Sequence, residues 1–143
     1  MAKLLRQYAA LPVMESGGSR QVLLVTSRGT GRWIIPKGHP EKRMKPGAVA
    51  RLEALEEGGV SGTIGNTPLG RYRSTKRLGS GKLVPCEVIV FRLQVTEHLA
   101  SWKEDQERRR LWVPLEQAPK IVEDGELAAF IERLIRDKLL DHP

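Results

Sequence analysis

The chain has 143 residues, enough for one domain with an ordinary buried core and too few for a second domain of normal size. Lysine and arginine number 24 against 17 acidic residues, and the resulting formal charge of +7 suits an anionic partner such as a nucleotide, an inositol phosphate, RNA or a membrane surface. Cys86 is the only cysteine, which excludes an intramolecular disulfide and a cysteine-based metal centre, and no apolar run approaches the roughly 20 residues needed to span a bilayer.

In chain order, Met1 to Arg6 lacks the apolar core of a signal peptide, so cytoplasm is the expected compartment. Arg6 to Val13 reads as a first strand, and Glu15 to Ser19 as a turn. Val22 to Ser27 is an apolar run containing β-branched residues, as in a central strand. Arg28 to Gly31 turns the chain into a short buried strand, Trp33 to Ile35. Lys37 to Lys45 is polar and carries Pro40, so a loop is expected there.

Pro46 suits the first turn of a helix, where its missing N–H is harmless. The helix should run to about Glu57, with Ala48, Leu52 and Leu55 facing inward and Gly58-Gly59 as a left-handed exit. Val60 to Leu69 and Gly70 to Leu78 suggest further strands, and Gly79-Ser80-Gly81 a hairpin turn. Leu83 to Val95 reads as a long strand in which Cys86, among Val84, Val88 and Val90, is a buried strand residue rather than a nucleophile. Leu111 to Val113 is a short strand, and Leu115 to Ala118 one helical turn. Asp124 to Leu140 is a helix whose Leu127, Phe130, Ile131, Leu134 and Ile135 form a packing stripe. The order is mixed α/β with short connections and no internal repeat, and one domain is expected over residues 1–143.

Glu53, Glu56 and Glu57 are the chemically informative residues. Their spacing places three carboxylates on one helical face, where like charges weaken a helix unless something neutralises them. A hard divalent cation does this, since Mg²⁺ and Mn²⁺ prefer carboxylate oxygens. An ordinary helix with a solvated acidic face is the plainer alternative. It leaves unexplained the strand Trp33-Ile34-Ile35 and the Pro36-Lys37-Gly38 stretch directly upstream.

The stretch from Gly38 to Val60 resembles the Nudix box, Gx5Ex7REUxEExGU with U bulky and aliphatic. Gly38 takes its first glycine, Leu52-Glu53-Ala54-Leu55-Glu56-Glu57 its REUxEE core, and Gly59-Val60 its end. Two positions depart: Met44 replaces the isolated glutamate, and Leu52 the arginine that usually orients a neighbouring carboxylate. Val22 to Arg28 with Gly31-Arg32-Trp33, and the distal Trp102 to Trp112, are similar to the diphosphoinositol polyphosphate phosphohydrolase branch and its diadenosine-polyphosphate-cleaving relatives. The likeness extends over roughly residues 6 to 135.

That resemblance implies an α/β/α sandwich with a mixed sheet and hydrolysis of a pyrophosphate linkage with Mg²⁺ or Mn²⁺. It implies Glu56 and Glu57 as metal ligands, Glu53 as a further ligand or base, and the Gly38 carbonyl in the inner sphere. An additional acidic ligand from a distal loop falls on Glu107, with Glu104 as the other candidate; the alternative is that both pair with Arg108 to Arg110. For the substrate phosphates, the candidates are Ser27, Arg28 and Lys37 beside the box, and Arg71, Arg73 and Lys76 in a basic hairpin. A solvated sheet edge is the alternative for that hairpin. Trp102 and Trp112 read as packing residues before base-stacking ones, His39 and His98 as incidental, and His142 lies in the tail.

The substrates so implied are dinucleoside polyphosphates or diphosphoinositol polyphosphates. Removal of pyrophosphate from RNA 5′ ends is a second enzymatic reading. A catalytically weak module that senses a phosphorylated ligand or RNA is a third, sustained by Met44 and Leu52 and opposed by the intact carboxylate triplet. A monomer and a homodimer both fit the sequence.

Overall fold

The computed structural model describes residues 4–141. Strands β1 (Leu5–Ser16) and β2 (Ser19–Thr26) form an antiparallel hairpin around Gly17-Gly18. Two short strands follow, β3 (Trp33–Ile34) and β4 (Lys37–Gly38), and then helix α1 (Pro46–Gly58). Next come β5 (Val60–Ile64), β6 (Gly70–Arg77), the long β7 (Leu83–His98) and β8 (Arg110–Pro114). A 3₁₀ turn (Leu115–Gln117) leads into α2 (Ala118–Ile121) and α3 (Gly125–Arg136).

Among the described residues the strands join in one mixed, open sheet with the path β3-β2-β1-β7-β5. β1 and β7 run parallel, Leu5 opposite Cys86 through Val13 opposite Gln94. The other pairings are antiparallel: β4 adds to β1, β6 to the first half of β7, and β8 to β2.

Alternation along the central strands sends side chains to two cores. Leu11, Val13, Val22, Leu24, Val88 and Val90 meet Leu127, Phe130, Ile131 and Leu134 of α3. Ala10, Leu23, Val25, Phe91 and Leu93 meet Ala50 and Ala54 of α1. The result is the α/β/α sandwich. Leu127, Phe130, Ile131 and Leu134 of the α3 stripe are buried and Ile135 is half-buried, and truncating Leu127 to Ala would cost roughly 2–5 kcal/mol. Asp124 caps that helix by accepting from the backbone N–H groups of Glu126 (2.9 Å) and Leu127 (3.4 Å).

Four expectations are corrected. The inward face of α1 is Val49, Ala50, Ala54 and Gly58, whereas Ala48 is exposed and Leu52 and Leu55 are half-buried. The helix lies so close to the sheet that a Cβ on Gly58 would come 2.9 Å from Leu23, so small residues face the strands. β5 ends at Ile64 rather than Leu69, because Gly65-Asn66 and Pro68 turn the chain. The Lys37–Lys45 loop begins with strand pairing to β1. α3 ends at Arg136, before Lys138 with its positive φ of 52°, so Leu140 lies beyond the helix. No helix among the described residues is long and apolar enough to cross a membrane. His142 lies outside the described residues.

Candidate active site

Helix α1 presents the acidic triplet at its C-terminal end, where the macrodipole is least favourable to carboxylates. The segment between β7 and β8 closes over this last turn. The Trp102 indole N–H donates to the Glu57 carbonyl at 3.0 Å, and the Glu104 backbone N–H to the Glu56 carbonyl at 3.0 Å. Arg110 donates to the Gly58 and Gly59 carbonyls at 3.1 and 3.4 Å, and its guanidinium lies 3.9 Å from the centre of the Trp102 ring. These donors satisfy carbonyls that a helix end otherwise leaves open. Gly59 has φ +65°, and a Cβ there would meet Arg110 and Trp102 at under 3 Å, so the clamp and the left-handed exit both require glycine.

The three carboxylates have different surroundings. Glu56 accepts from Lys103 Nζ at 3.1 Å near the surface. Glu57 is 4 % exposed. Its Oε1 accepts from the Lys37 backbone N–H at 3.4 Å, and Arg108 Nη2 lies 3.5 Å from its Oε2. Glu53 keeps a buried Oε2 with no hydrogen-bond partner among the described residues. Burial raises Glu57 to a pKa of about 8, against the opposing pull of Arg108 and with a further push from Glu53 and Glu104. Burial also raises Glu53, to about 7, helped by repulsion from Glu56, Glu104 and Glu41. These two carboxyls are thus held at the edge of ionisation at neutral pH.

Glu53 and Glu57 border a cleft of about 1570 Å³ together with Ser27, Arg28, Lys37, Gly38, Arg73, Lys76, Glu104 and Arg108. Glu56, Arg71 and Glu107 do not border it. Glu107 is exposed and pairs with Arg28 at 3.5 Å, whereas Glu104 is half-buried near Glu57 and receives Arg108 Nε at 2.8 Å. On β6, Arg71 and Arg73 share one face of the strand and Lys76 lies on the other. Arg71 pairs with Glu87 at 3.3 Å, and Lys76 packs against His39. Burial lowers the pKa of Lys37, and burial and Lys76 lower that of His39. Ser27 Oγ is 2.5 Å from Thr30 Oγ1 and accepts from the Arg32 N–H at 3.1 Å, which fixes the loop after β2. Cys86 is buried as expected, with its thiol 3.3 Å from Gln7 Oε1.

Among the described residues no group of three or more His, Cys, Asp and Glu side chains is gathered closely enough to hold a metal ion as it stands. The donor set nevertheless fits a hard cation. Its oxygens come from carboxylates, one buried oxygen is unpartnered, and Gly38 leaves a cradle in which a Cβ would lie 2.3 Å from Glu53 Oε1. In the sequence Glu104 stands beside Glu107 as a candidate distal ligand, with pairing of both to Arg108 to Arg110 as the alternative, and no periodic pattern connects residue 108 to residue 57.

The three-layer fold brings Gly38, Glu53 and Glu57 to one cleft with Arg73 and Lys76. The NUDIX domain model matches residues 4–136, and the chain belongs to the Nudix hydrolase family. It is similar to Nudix hydrolase 13, mitochondrial, of Arabidopsis thaliana, at 31 % identity over 125 residues, covering 81 % of this chain and 60 % of the relative. Diphosphoinositol polyphosphate phosphohydrolase 2 of Rattus norvegicus is 33 % identical over 134 residues, covering 90 % and 70 %. The chain thus spans about three-fifths of the length of the plant relative. Among solved structures, a C. elegans Ap4A hydrolase binary complex shares the fold with TM-score 0.69 at 19 % identity, covering 93 % of this chain and 96 % of the other.

Proposed function

We propose that the chain is a Mg²⁺- or Mn²⁺-dependent pyrophosphohydrolase acting on dinucleoside polyphosphates or diphosphoinositol polyphosphates. The observation that carries this reading is the meeting of Glu53, Glu57 and Gly38 with Lys37, Arg73 and Lys76 in one cleft. The similarity to the rat diphosphoinositol polyphosphate phosphohydrolase and the fold shared with the Ap4A hydrolase support the substrate class.

Glu53, Glu57 and the Gly38 carbonyl would hold the cation, and Glu56 and Glu107, which lie off the cleft paired with Lys103 and Arg28, would join them by leaving those partners. The cation supplies charge neutralisation at the pyrophosphate oxygens and makes water a better nucleophile. Glu53, raised to about 7, is suited to take a proton from water near neutral pH. Lys37, Arg73 and Lys76 border the space for phosphates, and Ser27 and Arg28 border it beside the box loop. Arg71 would contribute at longer range, since it is tied to Glu87.

The test is a panel of dinucleoside polyphosphates, diphosphoinositol polyphosphates and 5′-triphosphorylated RNA, incubated with Mg²⁺ and resolved by chromatography. Turnover of either small-molecule class, lost in chelator, is the expected result. Full turnover in chelator refutes the metal role, and cleavage of RNA alone refutes the substrate class.

A further inference from the structure

The helix that carries the triplet brings no cation of its own to Glu57. Leu52 is apolar, and both it and Arg51 border a different cavity, of about 980 Å³, together with Met44 and Phe91. The guanidinium paired with Glu57 comes from the segment before β8. The Arg108 side chain is 8 % exposed and lies between Glu57, 6 % exposed, and Glu104, 14 % exposed. Nη2 is 3.5 Å from Glu57 Oε2, Nε is 2.8 Å from Glu104 Oε1, and Nη1 donates to the Thr26 carbonyl at 3.0 Å. One guanidinium thus ties α1, the distal segment and the end of β2 together. A planar fork of donors serves three acceptors at once, which an ammonium cannot do in a fixed plane.

We propose that Arg108 is the positioning residue of this site: it fixes Glu57 and Glu104 against the end of β2, so that the box carboxylates stand ready for a divalent cation. The inference rests on the metal-dependent reading above. Arg108 borders the same cleft as Arg73 and Lys76, and its buried triple contact distinguishes it from them. A positioning role and a substrate-phosphate role predict different kinetics. If Arg108 only arranges carboxylates, its loss lowers kcat and cation affinity and leaves KM nearly unchanged. If it holds a phosphate, its loss raises KM, and more so for substrates with more phosphates.

The test compares wild type, Arg108→Gln and Arg108→Lys. Mn²⁺ affinity is read from the electron paramagnetic resonance signal of free Mn²⁺ without substrate, and kcat and KM are measured separately. Circular dichroism melts establish that each variant is folded. The expected results for Arg108→Gln are Mn²⁺ binding weakened about tenfold and kcat lowered roughly 10–100-fold, the range for lost outer-shell partners of a metal site. Arg108→Lys, which keeps the charge, should recover only part of each and serves alone if the Gln variant does not fold. Unchanged or tighter Mn²⁺ binding in a folded variant with wild-type kcat overturns the proposal, as does a rise in KM at constant kcat. Wild type that binds Mn²⁺ but cleaves none of the panel refutes the substrate reading and leaves the Arg108 binding result to be judged by itself. Wild type that binds no Mn²⁺ overturns both.

Discussion

Substituting Glu57 with glutamine should stabilise the metal-free protein while suppressing its activity. The side chain is 4 % exposed, and its carboxyl is raised from an ordinary 4.5 to about 8, chiefly by burial. The folded state therefore holds the proton more tightly than the unfolded chain. The stability this contributes is fully present below about 4.5 and is lost as pH rises through about 8. At pH 7 the lost stability amounts to about 3 kcal/mol, at roughly 1.4 kcal/mol per pH unit above 4.5. Glutamine has nearly the same shape and never ionises, so its advantage over glutamate should grow from about 1 kcal/mol or less at pH 5 to about 4 kcal/mol at pH 8. Glu53 would lose a like-charged neighbour in the same variant, which acts in the same direction. Arg108 would keep Glu104 and Thr26 as partners. The assay is urea denaturation of chelator-treated protein at pH 5, 6, 7 and 8, followed by circular dichroism. With Mg²⁺ present, turnover of the variant should fall by roughly 100-fold, the scale of losing one preorganised electrostatic group. A glutamine variant that is less stable than wild type at pH 8, or equal to it across the range, would refute the argument from burial. Wild-type turnover at saturating Mg²⁺ would refute the assignment of Glu57 as a ligand.

Gly38→Ala should leave the melting temperature nearly unchanged yet lower cation affinity. A Cβ there would lie 2.3 Å from Glu53 Oε1 and 2.7 Å from its Cγ, and the flexible side chain can escape only by leaving the cradle; wild-type Mn²⁺ binding would refute this. Arg73→Glu and Lys76→Glu should raise KM severalfold with a smaller change in kcat, increasingly so with a longer phosphate chain and less so at high salt. Arg71→Glu should do less, since Arg71 lies off the cleft beside Glu87, and equal effects at all three positions in steady-state kinetics would contradict the geometry. Met44→Glu should leave kcat within about twofold and cost about 1 kcal/mol of stability, because it puts a carboxylate beside Leu52 and Phe91 in the second cavity; a large fall in turnover with the fold intact would give Met44 a role of its own.

The amino-acid sequence determined the elements whose signals are local. The α3 stripe, Pro46 at the start of α1, Gly59 at its end and the Gly17-Gly18 hairpin each follow from short-range patterns or backbone restrictions. The acidic triplet was legible for the same reason, since helical spacing alone brings Glu53, Glu56 and Glu57 to one side. The inward face of α1 was not. Leu52 and Leu55 are more hydrophobic than Ala50 and Ala54, but the close approach of helix to sheet selects for size, and that distance is a tertiary quantity. Only the tertiary structure gave the three glutamates their surroundings: one held by Lys103, one buried against Arg108 and one with an oxygen unpartnered among the described residues. It also set Glu104 beside the carboxylates and turned Glu107 towards Arg28. Burial and charge at a site depend on which distant segments pack there, and residues 57 and 108 become neighbours only when the β7–β8 connection folds over the end of α1.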